Sequence, residues 1–341
     1  MKITKRHILF LAVVIMVSSF LATFELPYYI YKPGRADALD SMIEIEGSYE
    51  SEGDMHLVTV SGGQATPIQY LWAKLLPHHD VIPLEHVRPE GMTEDEYMHE
   101  QLKMMESSQQ SSVVVAYEAA NANITIDYDG VFVVSVIEDM PAYKKLEVGD
   151  KIVKVDDINV NKAEDLTNYI EKKNVGDYIQ LEIIREEDVL TKELPLESFS
   201  NQEDKIGIGA QLMTDRSVEV DPDVKFSSGD IGGPSAGLMF ALKIYDQLTE
   251  NDLTKGHQIA GTGELDYEGN VLRIGDIDKK VVAADREGCD IFFAPNENGA
   301  PQSNYDIAKE VAEEIDTSME IVPVDTFAEA LQYLQDLNEN K

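Results

Sequence analysis

Asp230-Ile231-Gly232-Gly233-Pro234-Ser235-Ala236-Gly237, running into Leu238-Met239-Phe240-Ala241-Leu242, is the stretch on which the fold turns. Two glycines bring the chain to a proline, a serine and then a run of apolar side chains, which reads as a tight turn feeding a buried helix. Pro234 suits the first helical turn, where its missing N–H breaks no hydrogen bond. Ser235 is then expected at the N-terminus of that helix, where unpaired N–H groups and the positive dipole end favour developing negative charge. A hydroxyl so placed has the setting of a nucleophile with an oxyanion site beside it.

Gly233-Pro234-Ser235-Ala236-Gly237 also fits the G-x-S-x-G elbow of Ser-His-Asp hydrolases, whose acid and histidine follow the serine in the chain. Six of the seven histidines, at positions 7, 56, 78, 79, 86 and 99, precede Ser235. His257 follows by 22 residues, in Thr254-Lys255-Gly256-His257, which leaves too little chain for the strand and acid of that fold. It reads as a surface histidine. A lysine can replace histidine if an apolar setting lowers its pKa from about 10.4. Asp276 is positioned to cap a helix over residues 278–286, with Gly288 as its stop. At about 100° per residue, Ile277, Val281 and Ala284 share one face, with Lys280 about 60° from its centre and Lys279 about 160° away, beside Arg286 on the wet side. Helix geometry therefore selects Lys280 over its neighbour. On geometry alone, a lysine snorkelling from the edge of an apolar face stays open.

Three blocks in order carry a resemblance: residues 230–237, then Gly261-Thr262-Gly263-Glu264-Leu265, then Gly269 through Ala284 with Arg273-Ile274-Gly275-Asp276-Ile277-Asp278-Lys279-Lys280 at its centre. Together they resemble the proteolytic domain of the Lon family. The resemblance implies a Ser-Lys dyad of Ser235 and Lys280, with Thr262 supporting the lysine amine through its hydroxyl. Two departures are visible: Gly232 stands where many members carry an acid, and Asp276 where they carry a second glycine. An acid at the head of the lysine's helix is expected to raise the pKa of Lys280 if it comes close, and with it the pH optimum. Met104-Met105-Glu106-Ser107 resembles the start of a helix in the same domain.

Between these parts lies a β-rich texture. Gly130-Val131-Phe132-Val133-Val134, then Leu146 through Asp157 with Gly149-Asp150-Lys151-Ile152, then a helix over 163–172, resembles a bacterial-type PDZ domain. The resemblance implies that an extended peptide adds as a strand beside Asp129, Gly130, Val131 and Phe132, facing that helix. Asp156-Asp157-Ile158 replaces the usual Asn/Asp-Gly turn. The alternative is a small β domain that spaces the others.

The expected fold is therefore α+β: a Lon-type proteolytic domain with an inserted PDZ-like β-rich domain and one N-terminal transmembrane helix. Its expected parts are a cytoplasmic N-terminus at 1–7, a transmembrane helix at 8–24 and a linker at 25–39. A first part of the peptidase domain follows at 40–122, the PDZ-like domain at 123–198 and the catalytic part at 199–341. Within the first part, runs at 42–46 and 55–60 read as a hairpin, and Thr93 and Glu96 suit a capping box at the start of a long helix.

Lys2, Lys5 and Arg6 precede an uncharged run over 8–24, which reaches the short end of what crosses a bilayer. The basic excess before the run keeps the N-terminus inside and the rest outside the cytoplasm. A cleaved signal peptide is the competing reading, but a small-x-small site is hard to find over 20–26. The formal charge of −36 would be repelled by nucleic acid, so no such partner is expected. Cys289 is the sole cysteine, which excludes an intrachain disulfide and a thiolate metal cluster. No cofactor or metal is expected. No Gly-Lys dipeptide occurs, so a Walker A loop is missing from these residues, and the expected activity is ATP-independent cleavage of peptides or flexible segments outside the membrane. The rival functions are a catalytically inactive PDZ-containing membrane scaffold binding an extracytoplasmic partner, and an ester or thioester hydrolase on the same serine. A homo-oligomer is compatible with either.

Overall fold

The computed structural model describes residues 5–89, 91–199 and 202–338. The chain divides into two compact units, residues 1–123 with 220–341, and residues 124–219 inserted between them. The first unit begins with α1 (Lys5–Thr23), β1 (Tyr28–Ala38), β2 (Ile43–Ile45), β3 (Asp54–Gln64), α2 (Pro67–Ala73), β4 (Asp80–Pro83), α3 (Leu84–Val87) and α4 (Glu94–Ala120). The insert follows as β5 (Asn123–Val136), β6 (Lys151–Val155), β7 (Ile158–Asn159), α5 (Ala163–Ile170), β8 (Tyr178–Arg185), β9 (Asp188–Pro195), β10 (Glu197–Phe199), β11 (Gln202–Gly207) and β12 (Ala210–Asp221). The first unit then resumes with β13 (Val224–Phe226), α6 (Gly237–Leu248), β14 (Gln258–Gly261), β15 (Glu264–Leu265), β16 (Val271–Leu272), α7 (Ile277–Glu287), β17 (Ile291–Pro295), α8 (Asn304–Glu314), β18 (Glu320–Val324) and α9 (Phe327–Asp336).

The sheet of the first unit runs β18-β17-β14-β3-β1-β4. Strands from the two halves of the sequence meet where β14 lies parallel to β3, with Ile259 opposite Met55 and Gly261 opposite Leu57. Side chains alternate across such a sheet. Val58, Ala260, Phe292 and Ala294 join Val281, Ala284 and Ala308 in one core, which packs α7 and α8 on that face. On the opposite face Met239 of α6 closes over Gly261, where a Cβ would lie 2.7 Å from the methionine sulfur. The small residue lets α6 approach, and α6 carries the end of the nucleophile stretch.

Two expectations are corrected in this unit. Residues 28–38 of the expected linker are β1, hydrogen-bonded on both sides to β3 and β4, because Ile30 and Ala36 have apolar positions to fill. The expected hairpin is not formed. β2 pairs with β13, Ile45 opposite Val224, whereas β3 pairs with β1 and β14. Both runs alternate as strands should, but their partners are distant in sequence. The long helix does start at its capping box, with the Thr93 hydroxyl accepting from Glu96 N–H and the Glu96 carboxylate accepting from Thr93 N–H. α1 spans roughly 28 Å at 1.5 Å per residue and is long and apolar enough to cross a membrane.

The insert is a β12-β5-β6-β8-β9 sheet with β7 paired to β6 and a core of Val131, Ile152, Leu166, Ile179, Leu181 and Leu194 among others. It extends to 219, past the expected boundary at 198, because Ile206, Ile208 and Leu212 pack into that same core. Asp150 of the Gly-Asp-x-Ile pattern is buried against the Arg185 guanidinium, 2.6 Å from Nε and 2.7 Å from Nη2. The Asp156-Asp157 turn works without glycine. Asp156 takes a left-handed φ of 50° and its carboxylate accepts from Gln180 N–H and the Tyr169 hydroxyl, which holds the turn in place.

Candidate active site

The nucleophile turn is shaped from the helix beside it. Gly233 N–H donates to the Gln101 carbonyl (2.8 Å), the Ser108 hydroxyl to the Pro234 carbonyl (2.9 Å), and the Ser112 hydroxyl to the Gly237 carbonyl (2.8 Å). All three partners stand on α4, spaced along its length. Gly233 has φ +90°, and a Cβ on Gly232 would lie 2.6 Å from Gln101 Cβ, so α4 reaches this close only against glycine. The absence of an acid at Gly232 thus has a steric reason. α6 starts later than expected, at Gly237 with Ala236 as N-cap, which leaves Ser235 one residue ahead of the N-cap. Among the described residues, neither the Ser235 nor the Ala236 N–H has a backbone acceptor.

The segment after β14 latches the same turn from the other side. Gly263 N–H and the Thr262 hydroxyl both donate to the Ser235 carbonyl, each at 2.9 Å, and Leu238 N–H donates to the Gly263 carbonyl. Across this junction lies Lys280. Its Nζ is 2.5 Å from Ser235 Oγ and 2.9 Å from Thr262 Oγ1. Because the Thr262 proton is committed to the Ser235 carbonyl, the threonine offers the amine only a lone pair. The lysine must therefore donate one N–H to Thr262, which fixes its rotation against Ser235.

Lys280 is 4% exposed and Lys279 1%, so the expectation that Lys279 lies on the wet side is wrong. Helix geometry put it opposite the core, but β4 brings Asp80 over it. Lys279 Nζ bonds to Asp80 at 2.5 Å, Asp276 at 2.8 Å and Asp278 at 3.2 Å. Two adjacent buried lysines thus have opposite surroundings, carboxylates for one and hydroxyls for the other. Burial opposes the charge of Lys279, but the carboxylates of Asp276 and Asp80 overcome it and leave its pKa raised. Burial pushes Lys280 down to about 7, with Asp276 opposing. The anticipated upward shift from Asp276 is outweighed. Asp276 takes a left-handed φ of 56° and makes no side-chain cap; its carboxylate serves Lys279. Gly288 does end the helix, at φ 83°.

Ser235 and Lys280 open into a cleft of about 740 Å³, walled by Tyr31 and Arg35 of β1, Tyr97 and Met105 of α4, and Glu264 and Arg273. Burial, with Asp266 adding to it, pushes the Glu264 carboxyl up. His257 is away from this cleft and is less exposed than expected, with Nε2 3.0 Å from the Asn338 carbonyl. The Met104–Ser107 motif contributes Met105, which is buried, whereas the serines that hold the nucleophile turn are Ser108 and Ser112. Their spacing of four is shared by Ser107 and Ser111, so the sequence alone does not tell the two pairs apart. No cluster able to hold a metal ion is found among the described residues.

The expected peptide edge at Gly130, Val131 and Phe132 is not open. β5 lies between β12 and β6, with Val131 paired to Ile152 and Phe132 to Lys151. Gly130, at φ +123°, serves a close approach, since a Cβ would meet the Ile152 carbonyl at 2.8 Å. Among the described residues the outer strand on this side is β12, and Ala163 N–H at the start of α5 donates to Thr214 Oγ1 of that strand at 3.1 Å.

Two family models match parts of the chain, with bounds that differ from those of the compact units. Residues 101–196 match the PDZ domain family, and residues 200–336 match the family described as Lon protease (S16) C-terminal proteolytic domain. The Lon protease of Aster yellows witches'-broom phytoplasma (strain AYWB) is 35% identical over 97 residues, 28% of this chain and 11% of that protein. The Lon protease of Mesomycoplasma hyopneumoniae (strain 232) is 35% identical over 102 residues, 30% of this chain and 11% of that protein. The chain thus matches only about a tenth of the length of these relatives. Among solved structures, the PDZ domain of the SdrC-like protein from Listeria monocytogenes is 30% identical, over 25% of this chain and 88% of that one, with a TM-score of 0.23.

Proposed function

We propose that this chain, which carries a PDZ domain and the proteolytic domain of the Lon proteases, is an ATP-independent serine endopeptidase with Ser235 as nucleophile and Lys280 as general base. The observation that carries the reading is the 2.5 Å approach of Lys280 Nζ to Ser235 Oγ at a lysine whose burial holds its pKa near 7. At neutral pH a useful fraction of that amine is unprotonated, and its lone pair takes the Ser235 proton as Oγ bonds to the peptide carbonyl carbon. The resulting ammonium gives the proton to the departing amine as the C–N bond breaks. Water, deprotonated by the same lysine, then releases the acyl group and restores the serine. The Ser235 and Ala236 N–H groups ahead of α6 stabilise the oxyanion, and Thr262 orients the amine.

The inserted unit recruits substrate, and the strand that receives it is β12 rather than the Gly130–Phe132 stretch, with α5 beside it. α1 anchors the chain with its N-terminus in the cytoplasm, so the cleft works outside it on peptides or flexible segments. Cleavage of a peptide library by the wild type, Ser235→Ala and Lys280→Ala tests the dyad. Loss of all cuts in both variants supports it; variants that cut like the wild type would sink the dyad, and a wild type that cuts nothing would leave the inactive scaffold as the better account. Comparison of peptides with small esters separates peptidase from ester hydrolase.

A further inference from the structure

α2 carries a stripe that the peptidase reading does not use. Ile68, Leu71, Trp72, Leu75 and Leu76 recur at the three-and-one spacing of a single helical face, continued past Ala73 by a turn in which Leu75 and Leu76 N–H donate to the Trp72 carbonyl. In a water-soluble domain such a face turns inward. Here it is outside, with Leu71 63%, Trp72 59% and Leu75 78% exposed. The helix already has its core contact on the other side, where Ala73 packs with Ile30 and Ala65.

The charge pattern around it is equally unusual for this chain. Asp and Glu make up 64 of 341 residues, yet none occurs between Asp54 and Asp80. The one cation on the segment, Lys74, folds its Nζ over the Tyr70 ring at 4.7 Å. What lies next to the stripe says what covers it. Leu26, three residues beyond the end of the apolar helix α1, donates its N–H to the Ala65 carbonyl (2.8 Å), while Gln64 Nε2 donates to the Leu26 carbonyl (3.0 Å) and Ala65 N–H to the Tyr28 carbonyl (2.8 Å). Three hydrogen bonds thus tie the exit of α1 to the entry of α2. Tyr28 and Tyr70, with ring centroids 5.0 Å apart, and Trp72 supply the aromatic side chains that favour a membrane–water boundary.

We propose that α2 and the turn to Leu76 lie in the interface of the same bilayer that α1 crosses, the stripe sunk among the acyl chains, so that the catalytic unit docks on the lipid surface. The inference rests on the reading of α1 as a membrane anchor. A zwitterionic surface suits it, because the chain as a whole repels anionic lipid.

Trp72 is the sole tryptophan, so its emission reports on this stripe alone. The full chain is reconstituted into phosphatidylcholine vesicles and floated, and Trp72 emission is read with acyl chains brominated at shallow or deep carbons. The expected result is flotation with quenching of about half the emission, strongest for bromines roughly 5–10 Å beneath the headgroups. The double variant Leu71→Ser, Leu75→Ser should still float, through α1, while its emission shifts to the red and loses the quenching. A chain that floats with Trp72 unquenched overturns the docking and leaves the anchor standing. A blue-shifted but unquenched Trp72 overturns it in favour of a second copy of the chain as the covering surface. A chain that stays out of the vesicles overturns the anchor reading and the docking with it.

Discussion

At the scale of single residues, what separates Lys280 from Lys279 is the chemistry of their partners rather than burial. The protonated form of Lys280 is the inactive one, so kcat/KM is expected to rise with pH through an acid limb near 7 and to fall below it. Asp276 is the charge that opposes the lowered pKa. Asp276→Asn, which tolerates the left-handed backbone there, should move the limb down by about half a unit to one unit. Lys279→Met should move it the other way, because the Asp276 carboxylate is freed to stabilise the Lys280 ammonium. Activity at pH 7 then falls several-fold while Lys279→Arg stays near wild type. The same Met variant leaves three carboxylates without their cation. Since those carboxylates are 29–55% exposed, the loss of stability should be about 1–2 kcal/mol, below that of a fully buried pair. pH–rate profiles and thermal melts read both effects. Sequence geometry singled out Lys280, which lies against Ser235, but misplaced Lys279, because the face of a helix opposite its core is wet only until another element covers it.

At the scale of elements, α4 is a strut for the nucleophile turn. Ser108→Ala removes one donor from the Pro234 carbonyl and should cost about 1 kcal/mol, a several-fold loss in kcat/KM, with the melting temperature nearly unchanged. Gly232→Asp should cost far more, since Gln101 leaves no room for its Cβ. In the insert, Gly209 has φ +77° and a Cβ there would lie 2.1 Å from Met140 Cβ. Gly209→Ala should therefore displace the start of β12 and abolish capture of fluorescein-labelled library peptides, while hydrolysis of a small ester by Ser235 is retained. Fluorescence anisotropy and ester turnover separate the two. Elements were legible where their signal is local, at the Thr93 capping box and the Gly288 stop. They were misread where the partner is remote. β2 and β3 each alternate like strands, but β2 finds its partner in β13, about 180 residues on. Nothing in either run says that the intervening Gly-Ser-Glu segment is not their turn. The peptide edge failed for the same reason, since the strand that covers β5 returns about 80 residues later.

At the scale of the whole molecule, the first unit is written in two pieces with an independent core between them. β5 and β12, which lead into and out of the insert, are hydrogen-bonded neighbours, so a short link from Asn123 to Val220 should close the gap. A chain lacking 124–219 is expected to keep the acid limb near pH 7 and the turnover of small esters, and to lose discrimination among longer peptides; side-by-side library profiles check it. The split also sets an order of events in biosynthesis. β3 must wait for β14, about 200 residues later, before their parallel pairing can form, which is roughly 10–40 s at ribosomal speed. The α4 strut likewise waits for the turn it holds, and Ser235 leaves the ribosome 45 residues before Lys280, its proposed base, which is roughly 2–9 s at the same speed. Through those seconds the growing chain holds the hydroxyl without its proposed base, so on the reading proposed above the site is silent until Lys280 arrives.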